Sequence, residues 1–202
     1  MGIYSIKPGF QRSLRGVEMF LVRRRVHPDY LTLAAVGLSL VGGAALYGAW
    51  VAPWLLLVVP GLALGRIALN ALDGLVARGT GLARPWGEVL NELCDRLSDV
   101  ALFAGVALAP GSDVGLGAAV LVAMLVSSYV GTAAKAAGGR RQYGGVMGKA
   151  DRMIMLSVAC VTAFALPALP VLRFFLALVL VGLCVTIFQR LRATYADLQS
   201  VR

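Results

Sequence analysis

A chain of 202 residues that is 59% hydrophobic and only 14% charged excludes a soluble globular domain and reads as a polytopic membrane protein. Its net charge of +9 is not a nucleic-acid signal, which would require a soluble basic domain. Cys94, Cys160 and Cys184 stand alone in apolar segments without a CxxC pair. They read as reduced, buried small hydrophobes, not as disulfides or zinc ligands.

Met1 to Pro28 is charged and has neither a long apolar run nor a small-residue cleavage site, so no signal peptide is expected. Within it, Phe10, Leu14, Val17 and Leu21 recur at helical spacing among Lys7, Arg12, Arg15, Arg23, Arg24 and Arg25. That pattern predicts an amphipathic helix over 7–26 lying on the bilayer surface, with a disordered basic tail as the plainer alternative. The single histidine, His27, precedes Pro28 and marks a boundary, not a catalytic group. Tyr30 to Gly65 then runs 36 residues without a charge. At about 1.5 Å per residue this is about 54 Å, too long for one crossing of a hydrocarbon layer of about 30 Å. The natural reversal is Gly48-Ala49-Trp50-Val51-Ala52-Pro53. In all, six helices are predicted, at 30–50, 53–78, 86–109, 114–137, 149–168 and 171–196. The fold class is all-α integral membrane: a single domain over 1–202, with a six-helix transmembrane part at 30–196 and the surface helix before it.

Loop charge sets the orientation. The N-terminal segment, the 79–85 loop, the 138–148 loop and the C-terminus hold nearly all the basic residues, and the opposite loops offer only Arg173. By the positive-inside rule the first set is cytoplasmic, and its charge suits anionic head groups. The expected location is the cell (inner or plasma) membrane, multi-pass, with the active site facing the cytoplasm. The bilayer is the expected partner, a homodimer is compatible with the pattern, and no internal repeat suggests a transporter of inverted halves.

Helices two and three are each half oily and half polar. Arg66, Asn70, Asp73 and Arg78 occupy the end of one, and Glu88, Asn91, Glu92, Asp95, Arg96 and Asp99 the start of the next. The polar halves flank one cytoplasmic loop and so face each other across a cavity about 20 Å deep. Intramembrane ionisable residues are costly and mark function by default. Asn70 and Asp73 are three apart, and Asn91 and Asp95 four apart, so each pair shares a helix face. Converging oxygen donors suit Mg²⁺ or Mn²⁺, and the lack of thiolate and imidazole argues against zinc. Glu88 and Glu92 lie within a turn of the site. Asp99, one level deeper, is expected to pair with Arg66 or Arg96. Gly74, Ala77 and Gly87 provide either close helix packing or room for a nucleotide, and spacing does not separate the two.

Asp73-Gly74-Leu75-Val76-Ala77-Arg78, eight residues, then Gly87-x-x-x-Asn91-x-x-x-Asp95 resembles the D-x-x-D-G-x-x-A-R…G-x-x-x-D-x-x-x-D signature of the CDP-alcohol phosphotransferase family. Asp95-Arg96-Leu97-Ser98-Asp99 resembles the tail of that signature in phosphatidylinositol phosphate synthases. His27-Pro28-Asp29-Tyr30-Leu31-Thr32 and Gly148-Lys149 resemble the family's starts to its first and fifth spans. Asn70 and Asn91 stand where the family has aspartates. The resemblance implies that Asp73, Asp95, Asn70 and Asn91 are the metal ligands, with Asp95 also the catalytic base. It implies that Asp73, Gly74, Ala77, Arg78 and Gly87 bind the nucleotide. The implied reaction moves the phosphatidyl group of CDP-diacylglycerol to an alcohol acceptor and releases CMP, in phospholipid biosynthesis. Lys135, Arg140, Arg141, Lys149 and Arg152 cluster at the cytoplasmic ends of helices four and five, and predict a phosphorylated acceptor. The competing readings are a catalytically impaired member that binds lipid or nucleotide without turnover, and a small carrier using Asp73, Asp95 and Asp99.

Overall fold

In a computed structural model the backbone is described from residue 7 to residue 200, with the side chains of Lys7, Pro8, Gln11 and Ser200 outside the description. The described residues are all-helical. The elements are α1 (Lys7–Ser13), α2 (Arg15–Arg23), α3 (Pro28–Gly48), a 3₁₀ turn (Pro53–Leu57), α4 (Val59–Thr80), α5 (Pro85–Leu108), α6 (Val114–Ala136), α7 (Lys149–Ala165) and α8 (Val171–Ser200).

Proline sets several of these boundaries. Pro28 and Pro85 open α3 and α5, where a missing N–H costs nothing. The predicted helix over 53–78 is instead a 3₁₀ turn followed by α4. Pro60, at the start of α4, lacks the N–H that would carry a helix through from the turn. The helix predicted to reach 168 stops at Ala165, because Pro167 drives Leu166 out of the helical region. The segment expected as one helix over 7–26 is broken at Leu14 and ends at Arg23. At the break the Phe10 carbonyl accepts both the Ser13 hydroxyl at 2.7 Å and the Leu14 N–H at 3.3 Å. Leu14, Leu21 and Val22 pack on a small cluster of Leu31, Leu72 and Val76, while Val17 and Phe20 stay exposed.

Among the described residues, four stretches are long and apolar enough to cross a membrane: Pro28–Gly48, Pro53–Thr80, Val114–Ala136 and Val171–Gln199. Phe174, Leu178, Val181 and Phe188 on α8, with Val122 and Leu125 on α6, are all exposed. An apolar belt of this extent fits lipid and not water, and the protein is a multi-pass membrane protein.

One hydrophobic core joins α3 to α8 through Leu46, Val59, Phe103, Val120, Leu156 and Leu176. α3 and α5 approach each other closely. A Cβ on Gly105 would lie 2.5 Å from Gly43 Cα, and one on Gly43 would collide with the Ala101 carbonyl. Small residues let the backbones touch, as in other membrane bundles. The segment 137–148 between α6 and α7 is pinned to α8. Arg190 donates to the carbonyls of Ser127 (2.6 Å), Gly144 (2.9 Å) and Tyr143 (3.3 Å), and Met147 N–H donates to Thr186 Oγ1 at 2.9 Å. Gly145, at φ 131°, lies under Thr186, where a side chain has no room.

Candidate active site

The polar ends of α4 and α5 meet the start of α7. Asp73 is buried, and both of its oxygens are occupied. Thr32 on α3 donates its hydroxyl to Oδ2 at 3.0 Å, and Gly74 N–H donates to Oδ1 at 2.5 Å. Asp95 receives two donors on Oδ1, the Asn70 amide at 2.9 Å and the Lys149 ammonium at 2.5 Å. One turn before Asp95, the buried Asn91 Oδ1 has no hydrogen-bond partner among the described residues.

Beneath this layer is a buried ion triad. Arg66 donates to Asp99 Oδ1 at 2.5 Å, and Arg152 to Asp99 Oδ2 at 2.9 Å. Arg66 also reaches the Asp95 carbonyl at 3.3 Å, and Arg152 the Met147 carbonyl at 3.2 Å. The expected pairing of Asp99 with Arg66 is therefore present, and Arg152 joins it. Arg96 pairs instead with Glu92, which also takes Arg141. Glu88 pairs with Lys135 at 3.3 Å. Both glutamates near the motif thus face cations, Glu92 in a part-buried cluster and Glu88 in an exposed pair.

A cavity of about 400 Å³ opens beside Asp95. Asp95 and Asp99 contribute two carboxylates to its wall, and Arg96, Arg141, Lys149, Arg152 and Arg190 five cations. Leu64, Ile67 and Ile154 line it on the apolar side, and Phe10 of α1 on another. Of the five cations singled out by position, Arg141, Lys149 and Arg152 reach this wall. Lys135 and Arg140 do not, being exposed and held by Glu88 and Asp197. Of the nucleotide set, Asp73 is buried, Arg78 is exposed, and Gly74 leaves space for the Arg78 guanidinium, whose nearer nitrogen lies 3.4 Å from where a Cβ would stand. Ala77 and Gly87 are half-buried.

Sequence reasoning missed Thr32 as the partner of Asp73, and Arg190, Ser127 and Ser128 as cavity residues. The adjacent serines in the oily run 114–134 were a usable signal. Arg190 was hidden among C-terminal charges that topology alone explains.

No three His, Cys, Asp or Glu side chains cluster tightly enough to hold a metal ion among the described residues. The donor set is two carboxylates, Asp73 and Asp95, and two amides, Asn70 and Asn91. With the orphaned Asn91 oxygen, this all-oxygen set fits a hard divalent cation.

No family model matches the chain. Curated relatives do. The inner membrane protein YnbA of Escherichia coli is 37% identical over 158 residues, 78% of each chain. Phosphatidylinositol phosphate synthases of Streptomyces avermitilis and Mycolicibacterium smegmatis are each 32% identical, over 90% and 93% of this chain and 77% and 86% of theirs. Among solved structures, the phosphatidylinositol phosphate synthase of Mycobacterium tuberculosis superposes with a TM-score of 0.73. Its complex with manganese and citrate is 26% identical and aligns over 89% of this chain and 88% of that one; its CDP-DAG complex is 27% identical and aligns over 91% and 94%. The motif on α4 and α5, the helical fold around it and these relatives agree: the chain belongs to the CDP-alcohol phosphotransferase family.

Proposed function

We propose that this protein transfers the phosphatidyl group of CDP-diacylglycerol, or a similar CDP-linked lipid, to the hydroxyl of a phosphorylated acceptor, releasing CMP. The observation that carries this reading is a catalytic-type carboxylate, Asp95, on the wall of a cavity that carries five cations against two carboxylates. Such a surplus suits an anionic substrate, and a phosphate on the acceptor is the simplest anion to fill it.

In this reading α3 to α8 are the six membrane-spanning helices, and α1 and α2 lie at the cytoplasmic surface. α5 and α7 cross despite their charges because those charges face the cavity and one another. Lipid tails leave the cavity past Leu64 and Ile154, which are exposed on its apolar rim. Asp73, Asp95, Asn70 and Asn91 would hold Mg²⁺ or Mn²⁺, which supplies neutralisation of phosphate charge when bound. Asp95 accepts the acceptor's hydroxyl proton as the new P–O bond forms. Arg141 and Arg96 hold the acceptor phosphate, Arg190 keeps their wall in place, and Arg78 with the small surface of Gly74, Ala77 and Gly87 receives the nucleotide. Positioning and charge then do most of the catalysis.

The test is incubation of the protein with CDP-diacylglycerol, Mg²⁺ and inositol, glycerol or sugar phosphates, with glycerol and serine as controls, following CMP. Release with a phosphorylated acceptor alone is expected. Equal use of glycerol or serine would reduce the basic wall to a topology signal. The two asparagines and the Lys149–Asp95 pair favour a second reading, a binder without turnover; no CMP with any acceptor, but retained CDP-diacylglycerol binding, is its outcome. Orientation is tested separately in a cysteine-free background. Ala83→Cys and Ala137→Cys should react with impermeant thiol reagents from the cytoplasmic side only.

A further inference from the structure

We infer that the site is built for one divalent cation per chain, with the Lys149 ammonium supplying the positive charge that a second ion would bring. The inference rests on the transfer reading above and specifies its metal requirement.

The charge count around Asp73 and Asp95 sets the limit. These two carboxylates balance one divalent ion. Asn70 and Asn91 add oxygen donors without charge. Lys149 already spends its ammonium on Asp95 Oδ1, 2.5 Å away, so the resting site holds a fixed cation. A second divalent ion needs further carboxylates, and the buried and part-buried ones beside the site, Glu92 and Asp99, already face two cations each, while Glu88 and Asp29 lie in more exposed pairs. Glu88 holds Lys135, Glu92 holds Arg96 and Arg141, Asp29 holds Arg84, and Asp99 holds Arg66 and Arg152. Bringing another divalent ion into a part-buried site beside an ammonium, with no carboxylate to answer it, is strongly unfavourable.

Room for donors points the same way. Asp73 has a donor on each oxygen, and Asp95 Oδ1 has two. The amide oxygen of Asn91 is left without a partner in a buried position. One ion drawing on Asp73, Asp95 and the amide oxygens satisfies that atom. A second ion would have to share Asp95 with the Lys149 ammonium that already sits on its Oδ1.

The experiment is titration with Mn²⁺ alone on the detergent-solubilised full chain, reading free Mn²⁺ by electron paramagnetic resonance. One Mn²⁺ per chain is expected. The Asn70→Asp/Asn91→Asp double variant should bind two. Lys149→Met should still bind one, about tenfold more tightly, because a competing cation has gone, while Lys149→Arg should bind as the parent does. Two Mn²⁺ per parent chain would overturn the inference and leave the transfer reading standing. Unchanged affinity in Lys149→Met would overturn the role given to Lys149. CMP release by the parent without bound Mn²⁺ or Mg²⁺ would overturn the metal requirement of the reading itself.

Discussion

Around Gly43, Phe103 and Val120 the helices are held by shape: two glycines let α3 and α5 touch, and Phe103 stacks on Phe175 at 6.1 Å. Around Asp95 charge is added to this: α4, α5 and α7 are tied by Arg66, Asp99, Arg152 and Lys149. The two kinds of packing fail differently. Shape degrades gradually as volume changes, whereas removing one member of a buried ion set strands the others without water. The polar end is therefore the less tolerant one, and its ion pairs place Asp95 as well as supporting the fold. Arg66 is the link, since it holds both the Asp99 carboxylate and the Asp95 carbonyl.

The largest effect expected is Asp95→Asn, which removes the proton acceptor and a ligand together. CMP release should fall by about 10²- to 10⁴-fold or more, with the protein still folded and membrane-inserted by thermal-shift and fractionation assays. Retained turnover would remove Asp95 from the mechanism.

Next is Asp99→Ala, which leaves Arg66 and Arg152 buried and unpaired. It should cost roughly 3–5 kcal/mol of stability, read as a large fall in the melting temperature in detergent. Gly43→Ala, at the other end, forces a methyl group into the Ala101 carbonyl and should cost roughly 1–3 kcal/mol. If the glycine change proves the more damaging, the contrast between the two ends is inverted.

The polar end was more legible in the sequence than its wiring. Asn70, Asp73, Asn91 and Asp95 announce a shared polar face because spacing of three and four is a property of one helix. Their partners come from other helices: Thr32 from α3, Lys149 and Arg152 from α7. Periodicity carries no information about which helix faces which, so the pairing of Arg152 with Asp99 was not foreseen, although Arg152 does reach the cavity wall. The break at Leu14 was invisible for another reason. The apolar spacing runs through it unchanged, and Leu14 itself keeps helical backbone angles and its bond to the Phe10 carbonyl at 3.3 Å.

Among the cations the same distinction between wall and surface sharpens the acceptor question. Arg141 lines the cavity, held by Glu92 and lying over the Tyr143 ring with its guanidinium 4.8 Å from the ring centre. Arg141→Ala should raise the acceptor KM by roughly 10- to 100-fold, the size of a lost charge-assisted hydrogen bond, with little change in the KM for CDP-diacylglycerol.

The smallest effect belongs to Lys135 and Arg140. Sequence position places them with Arg141, yet Lys135 is paired with an exposed Glu88, and the Arg140 side chain is 88% exposed beside Asp197. Exposed ion pairs contribute roughly 0–1 kcal/mol, and neither residue reaches the cavity wall. Lys135→Ala and Arg140→Ala should therefore leave the acceptor KM within a few-fold of the parent, as measured by CMP release at varied acceptor concentration. They should also add to Arg141→Ala without amplifying it, because residues that share no partner act independently. A tenfold rise in KM from either single change would mean that the acceptor binds farther toward the cytoplasmic rim than the cavity beside Asp95, and Arg141 would then be one member of an outer cluster instead of the wall that positions the hydroxyl.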